Sequence, residues 1–224
     1  MSQTEDKVKG PPPLLGAVLL AAGAGSRMGH RPKSLLELDG SPLIRLVIGA
    51  LLDAGVHELA VVLGHHAERI APVIGSLPVK VVRNADPDVS QNMSLHVGLQ
   101  ALSNRPDAVL VALADQPLIS SQDIKDLVIV YNQRPAHVQV VQPQVDGLPG
   151  NPVIFSAAVR DQILSGDTGA GCRQWQAAHP EQVLRWGTTN RHYRTDVDTL
   201  DDIEALAART GQRLNWPADL AVRS

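Results

Sequence analysis

Runs of consecutive apolar residues alternate along the chain with segments in which apolar residues recur every three or four positions. The runs predict strands buried on both faces, because a parallel strand that helices cover on either side has no polar face. Residues 14–22 and 107–117 are the clearest such strands, and residues 58–64, 79–86 and 138–145 are predicted to be further strands. The segments with helical spacing predict helices at residues 41–55, 65–75, 92–104 and 120–131. Strands that alternate with helices indicate an α/β fold with a doubly wound, mostly parallel sheet.

Residue types at the ends of the helical segments predict where the helices begin and end. Ser41 and Ser120 are expected N-caps, because a serine side chain can accept a hydrogen bond from a free amide of the first turn. Pro42 suits the first turn of the helix that follows Ser41, and Gly55 suits its end.

The alternation occupies residues 14–210, which we predict to form a single domain. A chain of 224 residues, 44% of them hydrophobic, is long enough to bury one sizeable core. Residues 1–13 contain nothing that could be buried and are predicted to be a disordered leader. Residues 211–224 are predicted to be a C-terminal tail.

Composition excludes several classes of protein. A net charge of −3 without a local basic patch argues against a nucleic-acid partner, and 3% aromatic residues argue against a stacking platform for single strands. Cys172 is the only cysteine, which excludes a disulfide framework and fits a cytoplasmic protein. No apolar run reaches the length of a membrane span, so no membrane partner is expected.

Three polar clusters follow predicted strands. They are "GAGSRMGHRPK" after the first strand, "NADP" after the third and "DQP" after the strand that starts at residue 107. In open α/β sheets, ligands bind at the carboxyl ends of the strands. We therefore expect the fold to bring the three clusters to one edge of the sheet and to form a single site there.

The first cluster combines bare backbone with positive charge. Gly23 and Gly25 let backbone amides approach a ligand, and Arg27 and Lys33 add full charges, so the cluster suits a polyphosphate. An ordinary glycine turn with solvated basic residues is the simpler alternative.

Neither of the two common phosphate-binding motifs is complete in this cluster. Met28 stands where the dinucleotide fingerprint needs its third glycine, and Pro32 stands where the Walker A motif needs the glycine before its lysine.

Carboxylates in the other segments could hold a metal ion. Asp115 ends a buried strand, where a carboxylate suits Mg²⁺, although an aspartate before Gln116-Pro117 also suits a plain turn. Asp196 and Asp198 are two positions apart and share a face if the segment is extended. Asp198 could instead cap a helix that starts near Leu200.

The segment "LAAGAGSRMGHRPK" resembles the signature L-A-A-G-x-x-x-R-M-G-x-x-x-K of the MobA-like nucleotidyltransferases, which are related to enzymes of the molybdenum cofactor. Five further segments resemble family motifs in the same order, from about residue 15 to 207. They are "NMSLHVGL", "ALADQPLI", "GLPGNPVIF", "GDTGA" and "DVDTLDDIEAL". The resemblance implies a Rossmann-like nucleotidyltransferase fold.

Within this family, the pattern is most similar to that of the molybdenum cofactor cytidylyltransferases, since guanylyltransferases more often have L-A-G-G in place of "LAAG". The resemblance implies that the terminal phosphate of molybdopterin attacks the α-phosphorus of CTP and that pyrophosphate leaves. It further implies Mg²⁺ as cofactor, and a molybdoenzyme or its chaperone as a partner that receives the product.

The resemblance also assigns roles to individual residues. It places Lys33 at the α-phosphate, Arg27 at the β- or γ-phosphate, and Asp115 and Asp198 at Mg²⁺, with Lys33, Arg27 and Asp115 as the catalytic set. Asn84 and Ser94 would contact the cytosine or the ribose. The loop backbone would hold the triphosphate at Leu20, Ala21, Ala22, Gly23 and Gly25.

Departures from the family pattern affect the acceptor half of the site. Asn151 stands where histidine is commoner, and Thr168 and Gly171 stand where lysine and arginine are commoner. These differences remove positive charge beside the acceptor and leave its identity open. A guanylyltransferase and another cytidylyltransferase remain as near alternatives. An NAD(P)-dependent oxidoreductase and a non-catalytic nucleotide- or cofactor-binding protein remain as alternatives of a different class.

Overall fold

The first apolar run forms the central strand of the computed structural model, which describes residues 14–87, 91–103, 105–166 and 171–221. In strand β1 (Leu15–Ala21), Ala17 and Leu19 pack into one layer of the core, and Val18 packs into the other. A strand buried on both sides is what the continuous apolar run predicts.

Ten more strands follow in the described part of the chain. They are β2 (Glu37–Leu38), β3 (Ser41–Pro42), β4 (Glu58–Leu63), β5 (Lys80–Arg83), β6 (Ala108–Leu113), β7 (Val140–Val145), β8 (Leu148–Pro149), β9 (Val153–Ser156), β10 (Val183–Gly187) and β11 (Leu214–Asn215).

The main sheet has the strand order β10-β7-β9-β6-β1-β4-β5, and the short β8 pairs with β7. Strands β4 and β6 pair with β1 in parallel, and β5 pairs with β4 in parallel. Strand β9 runs antiparallel between β6 and β7. The prediction of a mostly parallel sheet is therefore confirmed. The strand order reverses at β1, and such a switch point opens a crevice at the carboxyl ends of the strands beside it.

Helices cover both faces of this sheet. They are α1 (Leu43–Asp53), α2 (Ala67–Ile74), α3 (Gln91–Ala101), α4 (Ser121–Gln133), α5 (Ala157–Ser165) and α6 (Cys172–Ala178). Helix α7 (Leu200–Thr210) packs elsewhere, in a third apolar cluster. Helices α1, α2 and α4 pack on one face, and α3, α5 and α6 pack on the other, as a doubly wound fold requires. No helix in the described ranges is both long enough and apolar enough to cross a membrane.

Two helix starts differ in how they are capped. Ser120 caps α4 as predicted: its side chain accepts a hydrogen bond from the amide of Asp123, whose carboxylate accepts one from the amide of Ser120. The prediction for Ser41 is wrong. Ser41 pairs with Leu38 in β3, and Pro42 precedes the first turn of α1 without a side-chain cap.

A small antiparallel sheet completes the domain. Strands β2, β3 and β11 form it, and a third apolar cluster that includes Leu38, Leu206 and Leu214 joins it to α7. The segment predicted to be a tail therefore contributes β11 to this sheet, and Leu220 beyond it is buried as well.

Candidate functional site

A cleft of about 570 Å³ opens at the carboxyl ends of β1 and β6. Residues from all three predicted polar clusters or their neighbours line it, together with the segment before α7. The residues predicted for the site that line this cleft are Leu20, Ala21, Ala22, Gly23, Arg27, Lys33, Ser94, Asp115 and Asp198. Gly25 and Asn84 do not belong to the lining.

Three residues of the glycine loop, Gly25, Gly29 and His30, have positive φ angles. Gly25 and Gly29 have φ angles of 63° and 68°, a region that favours glycine. The Gly25 carbonyl accepts hydrogen bonds from the amides of Met28 and His30. A Cβ atom on Gly25 would lie 2.0 Å from the carbonyl oxygen of Arg31. Gly25 thus turns the loop that presents Arg27, whereas Gly23 borders the cleft with open space around its Cα.

Two side chains of the glycine loop, Met28 and Arg31, attach the loop to the rest of the domain. The Met28 side chain is buried in the cluster under the small sheet. Arg31 stacks on the Trp216 ring at 4.1 Å and donates a hydrogen bond to the carbonyl of Leu220. The C-terminal residues therefore support the glycine loop, a contact that the sequence pattern gave no reason to expect.

Lys33 lies at the centre of a charged cluster. Its Nζ is 2.8 Å from Asp115 Oδ2 and 2.5 Å from Asp198 Oδ1. Arg27 Nη2 lies 2.7 Å from the other oxygen of Asp198. The Lys33 side chain is 17% exposed, so its charge is partly shielded from water. The fold therefore brings together the four charged residues that the sequence predicted for one site.

The members of the cluster support each other's charged states. Burial lowers the pKa of Lys33, but the charges and hydrogen bonds of Asp115 and Asp198 outweigh it, and the pKa is raised. Burial raises the pKa of Asp198, but Lys33 and Arg27 outweigh it, and the pKa is lowered. At neutral pH the Lys33 amine is therefore protonated and the Asp198 carboxylate is ionised.

The Asp198 side chain faces the cleft, because its neighbour Thr199 caps α7. The Thr199 side chain accepts a hydrogen bond from the amide of Asp202, whose carboxylate accepts bonds from Thr199 in return. The alternative of Asp198 as the cap is thereby excluded. Asp196 also lines the cleft, and its pKa is raised by burial and by the nearby charges of Asp115 and Asp198.

The acidic residues fit a divalent cation. Asp115 Oδ1 is buried and has no hydrogen-bond partner among the described residues, while Oδ2 is held by Lys33. Mg²⁺ prefers oxygen ligands and typically takes one or two carboxylates together with substrate phosphates. No three His, Cys, Asp or Glu residues in the described ranges are grouped to hold a metal unaided. A cation at Asp115 and Asp198 would therefore take its remaining ligands from water or from the oxygens of a bound phosphate.

The two residues predicted for the nucleoside form a pair. Asn84 Nδ2 donates a hydrogen bond to Ser94 Oγ at 2.9 Å, and both side chains are buried. Ser94 borders the cleft, whereas Asn84 lies behind it and accepts a bond from the amide of Asp86. Asn84 can therefore act on a ligand through the orientation of Ser94.

Backbone bonds fix the segment that carries Asp196 and Asp198. The amide of Val197 donates to the carbonyl of Asp115 at 3.0 Å. Gln116 Nε2 donates to the carbonyl of Tyr193. Gln116 of the "DQP" motif is thus a structural residue, while Asp115 beside it faces the cleft.

Comparisons with known proteins identify the family and the fold of this chain. A family model described as the MobA-like NTP transferase domain matches residues 17–183. The chain belongs to this family. Nicotine blue oxidoreductase of Paenarthrobacter nicotinovorans is 30% identical over 200 residues, which cover 87% of this chain and 97% of that protein. The bifunctional protein GlmU of Staphylococcus epidermidis is 28% identical over 56% of this chain, and the match spans 28% of that protein.

A solved structure, described as a nucleotidyl transferase from Methanothermobacter thermautotroptrophicus, shares the fold with a TM-score of 0.71. It is 25% identical in sequence, and the match covers 88% of this chain and 97% of that one. Family and fold together make this MobA-like protein a nucleotidyltransferase.

A second cavity of about 300 Å³ opens beside the cleft of this MobA-like domain. The two share a wall that consists of Leu20, Gln91, Leu113, Asn151 and Arg173. Asn151 was predicted to stand near the acceptor, but Gln91 and Arg173 were not predicted at all, because neither belongs to a recognisable pattern. Thr168 lies outside the described residues.

Proposed function

We propose that this protein transfers CMP from CTP to the terminal phosphate of molybdopterin and releases pyrophosphate. The observation that carries the proposal is the charged cluster of Lys33, Asp115, Asp198 and Arg27 on the wall of the cleft. Two cations for a triphosphate and two carboxylates for a metal ion face one space, next to a loop with exposed backbone.

The side chains account for the charge that develops in this reaction. An oxygen of the acceptor phosphate bonds to the α-phosphorus, and the bond to the β-phosphate oxygen breaks, so negative charge increases on the α-phosphoryl oxygens and on pyrophosphate. Lys33 would donate to the α-phosphoryl oxygens, and the planar guanidinium of Arg27 would hold the β- or γ-phosphate. Catalysis then consists of positioning and electrostatic stabilisation, and a covalent enzyme intermediate is not needed.

Asp115 and Asp198 would hold Mg²⁺ together with oxygens of the triphosphate. When bound, the ion neutralises phosphate charge and orients the reacting groups. Lys33 contacts both carboxylates in the structure, so binding of the metal-nucleotide complex would move its ammonium group from the carboxylates to the α-phosphate.

The choice of CTP rests on sequence motifs. "LAAG" and "DQP" favour the cytidylyl branch over the guanylyl branch of the resemblance, and Ser94, oriented by Asn84, would contact the base or the ribose. The single cysteine favours the cytoplasm as the place of action.

A second candidate function, an NAD(P)-dependent oxidoreductase, is favoured by one observation. The relative named nicotine blue oxidoreductase matches over 97% of its length. Against this candidate, Met28 takes the place of the third glycine of the dinucleotide fingerprint, and its side chain is buried. Binding of a nicotinamide cofactor would also leave the two carboxylates beside Lys33 without a role.

The direct test is a transfer assay with α-labelled CTP, molybdopterin and Mg²⁺, in which the labelled pterin product is separated and weighed by mass spectrometry. We expect CMP-labelled product from the wild type and a strong loss with Lys33→Ala. Lys125→Ala, which removes an exposed lysine on α4, is the matched control and should retain activity. Absence of the product, combined with NADPH oxidation in the presence of an acceptor dye, would favour the oxidoreductase instead.

A further inference from the structure

The cavity of about 300 Å³ beside the cleft has an unusual wall. Six carboxamide side chains line it: Gln91, Asn92, Gln142, Asn151, Gln174 and Gln176. Arg173 is the one charged residue in the described lining, which contains no carboxylate. Carboxamides both donate and accept hydrogen bonds, so this wall suits a ligand body that has donors and acceptors of its own and no cationic group.

Two of these amides are fixed in orientation from behind. Arg185 Nη1 donates to the side-chain carbonyl of Gln176 at 2.7 Å and also to that of Gln142. Gln142 Nε2 donates to the carbonyl of Gly150, and Gln176 Nε2 donates to Cys172 Sγ. The positions of these amide groups are therefore set before a ligand binds, which lowers the ordering cost of binding.

Arg173 lies where the two cavities meet. It is the second residue of α6 and the one charged residue in the shared wall of the described cavities. The structure gives it no hydrogen bond or ion pair with another described residue, in contrast to Arg27 and Lys33. The helix starts close against α3, because a Cβ on Gly171 would lie 2.1 Å from Asn92 Oδ1.

We infer that Arg173 binds the phosphate of the acceptor and that the carboxamide wall holds the rest of the acceptor. The acceptor is then a phosphate monoester whose body forms hydrogen bonds and carries no cationic group. The inference rests on the proposed function and deepens it. In nucleotidyl transfer an anionic acceptor must approach an anionic α-phosphate, and a cation between them reduces the repulsion. A cationic acceptor such as choline phosphate would find no carboxylate in this wall to pair with its ammonium group.

The test is isothermal titration of the full-length protein with three probes: the phosphate ester of hydroxymethylpterin, unphosphorylated hydroxymethylpterin, and MgCTP. We expect Arg173→Gln to weaken binding of the phosphate ester about tenfold or more, since a charge-assisted hydrogen bond is lost. Binding of the unphosphorylated pterin and of MgCTP should change less than twofold. Arg173→Lys should recover part of the loss, and Arg213→Gln, at an exposed arginine, should change nothing.

Each contrary result has a distinct meaning. Equal weakening of both pterins would show a structural role for Arg173 and overturn the inference. Weakening of MgCTP alone would assign Arg173 to the nucleotide and also overturn it. Binding of choline phosphate as tight as that of the pterin ester would overturn the assignment of the carboxamide wall. A wild type that binds the ester through Arg173 but never binds CTP would support the phosphate site while the proposed cytidylyl transfer fails. Unchanged thermal unfolding of the variants would confirm that they fold.

Discussion

The ammonium nitrogen of Lys33 lies 2.5 Å from a carboxylate oxygen of Asp198, a residue 165 positions further along the chain. The same nitrogen lies 2.8 Å from Asp115. Lys33 therefore holds together two carboxylates that come from different segments, one after β6 and one before α7. The arrangement balances charge in the cleft and fixes the position of both acids.

Removal of Lys33 should reduce the rate of nucleotidyl transfer far more than it reduces stability. We expect Lys33→Ala to lower kcat about 10²–10³-fold, the usual loss for a donor that stabilises transition-state charge. Lys33→Arg should restore little, because a planar fork does not replace a compact ammonium group. Steady-state measurement of pyrophosphate release with saturating CTP tests this. A variant that retains more than half of the wild-type kcat would remove Lys33 from the mechanism.

The contacts of Lys33 also predict an effect on metal binding without nucleotide. In Lys33→Met, Asp115 and Asp198 lose the cation they share and only Arg27 remains paired with Asp198, so the two carboxylates should bind Mn²⁺ more tightly than in the wild type. Electron paramagnetic resonance titration of free Mn²⁺ measures this without any reaction. The double variant that adds Asp198→Asn is the control and should lose the gain. Equal affinity in the wild type and in Lys33→Met would argue against a shared position for the ammonium group and the metal.

Stability should depend on the ionisation of Asp123, the buried carboxylate at the start of α4. Burial alone would raise the pKa of Asp123, but hydrogen bonds from Ser120, His192 and Asn190 outweigh it and hold the pKa below its ordinary value. The carboxylate therefore stabilises the fold above the unfolded-state pKa of about 3.9, and this contribution is lost as the pH falls through the lower folded-state pKa.

Urea unfolding of Asp123→Asn tests the ionisation of Asp123. We expect the variant to lose roughly 1–3 kcal/mol in the free energy of unfolding at pH 7 and a smaller amount at pH 3.5. Asp219→Asn, at an exposed aspartate, is the control for a lost charge alone. A loss for Asp123→Asn that is the same at both pH values would contradict the assignment.

Close packing of α3 on the sheet makes a second prediction about stability. A Cβ on Gly98 would lie 2.4 Å from a methyl group of Val18 and 2.9 Å from one of Val62. Gly98→Ala should therefore lower the free energy of unfolding by about 1–3 kcal/mol. Gly49→Ala places the same methyl group in open space on α1 and should raise it by up to about 1 kcal/mol. Denaturant unfolding of both variants measures these changes. An unchanged free energy of unfolding in Gly98→Ala would mean that α3 moves away from the sheet at little cost.

The parts of the fold that the sequence predicts are those in which pattern and burial coincide. Strands β1, β4 and β6 are apolar except for Glu58 at the start of β4, because both of their faces are covered, and their predicted positions agree with the structure to within a few residues. Strand β9 was not predicted as a strand. It has only four residues, and its reversed direction depends on pairing with β6, whose register is set by residues some 45 positions away. The two-residue strands of the small sheet are too short to show any period.

The residues of the candidate site also divide into those that the sequence predicts and those that only the fold identifies. The resemblance to family motifs predicted Arg27, Lys33, Asp115 and Asp198, and the position of the first three after predicted strands agreed with it. Spacing could not show that Gly25 serves the turn and not the lining, since that depends on its φ angle and on the position of Arg31. Spacing could also not find Arg173, because an isolated arginine in a short helix shows no pattern until the fold places it between two cavities.

A thermal-shift titration with MgCTP, MgGTP, MgATP and NADPH, on the wild type and on Asp115→Ala, tests the central claim most directly. A ligand at about a hundred times its Kd should stabilise the protein by roughly 2.7 kcal/mol. For a chain of this size, each kcal/mol of stabilisation raises the Tm by about 2–4 °C. The account predicts a shift of this order with MgCTP, no comparable shift with NADPH, and a smaller MgCTP shift in Asp115→Ala. A shift with NADPH alone, unaffected by the loss of Asp115, would contradict it.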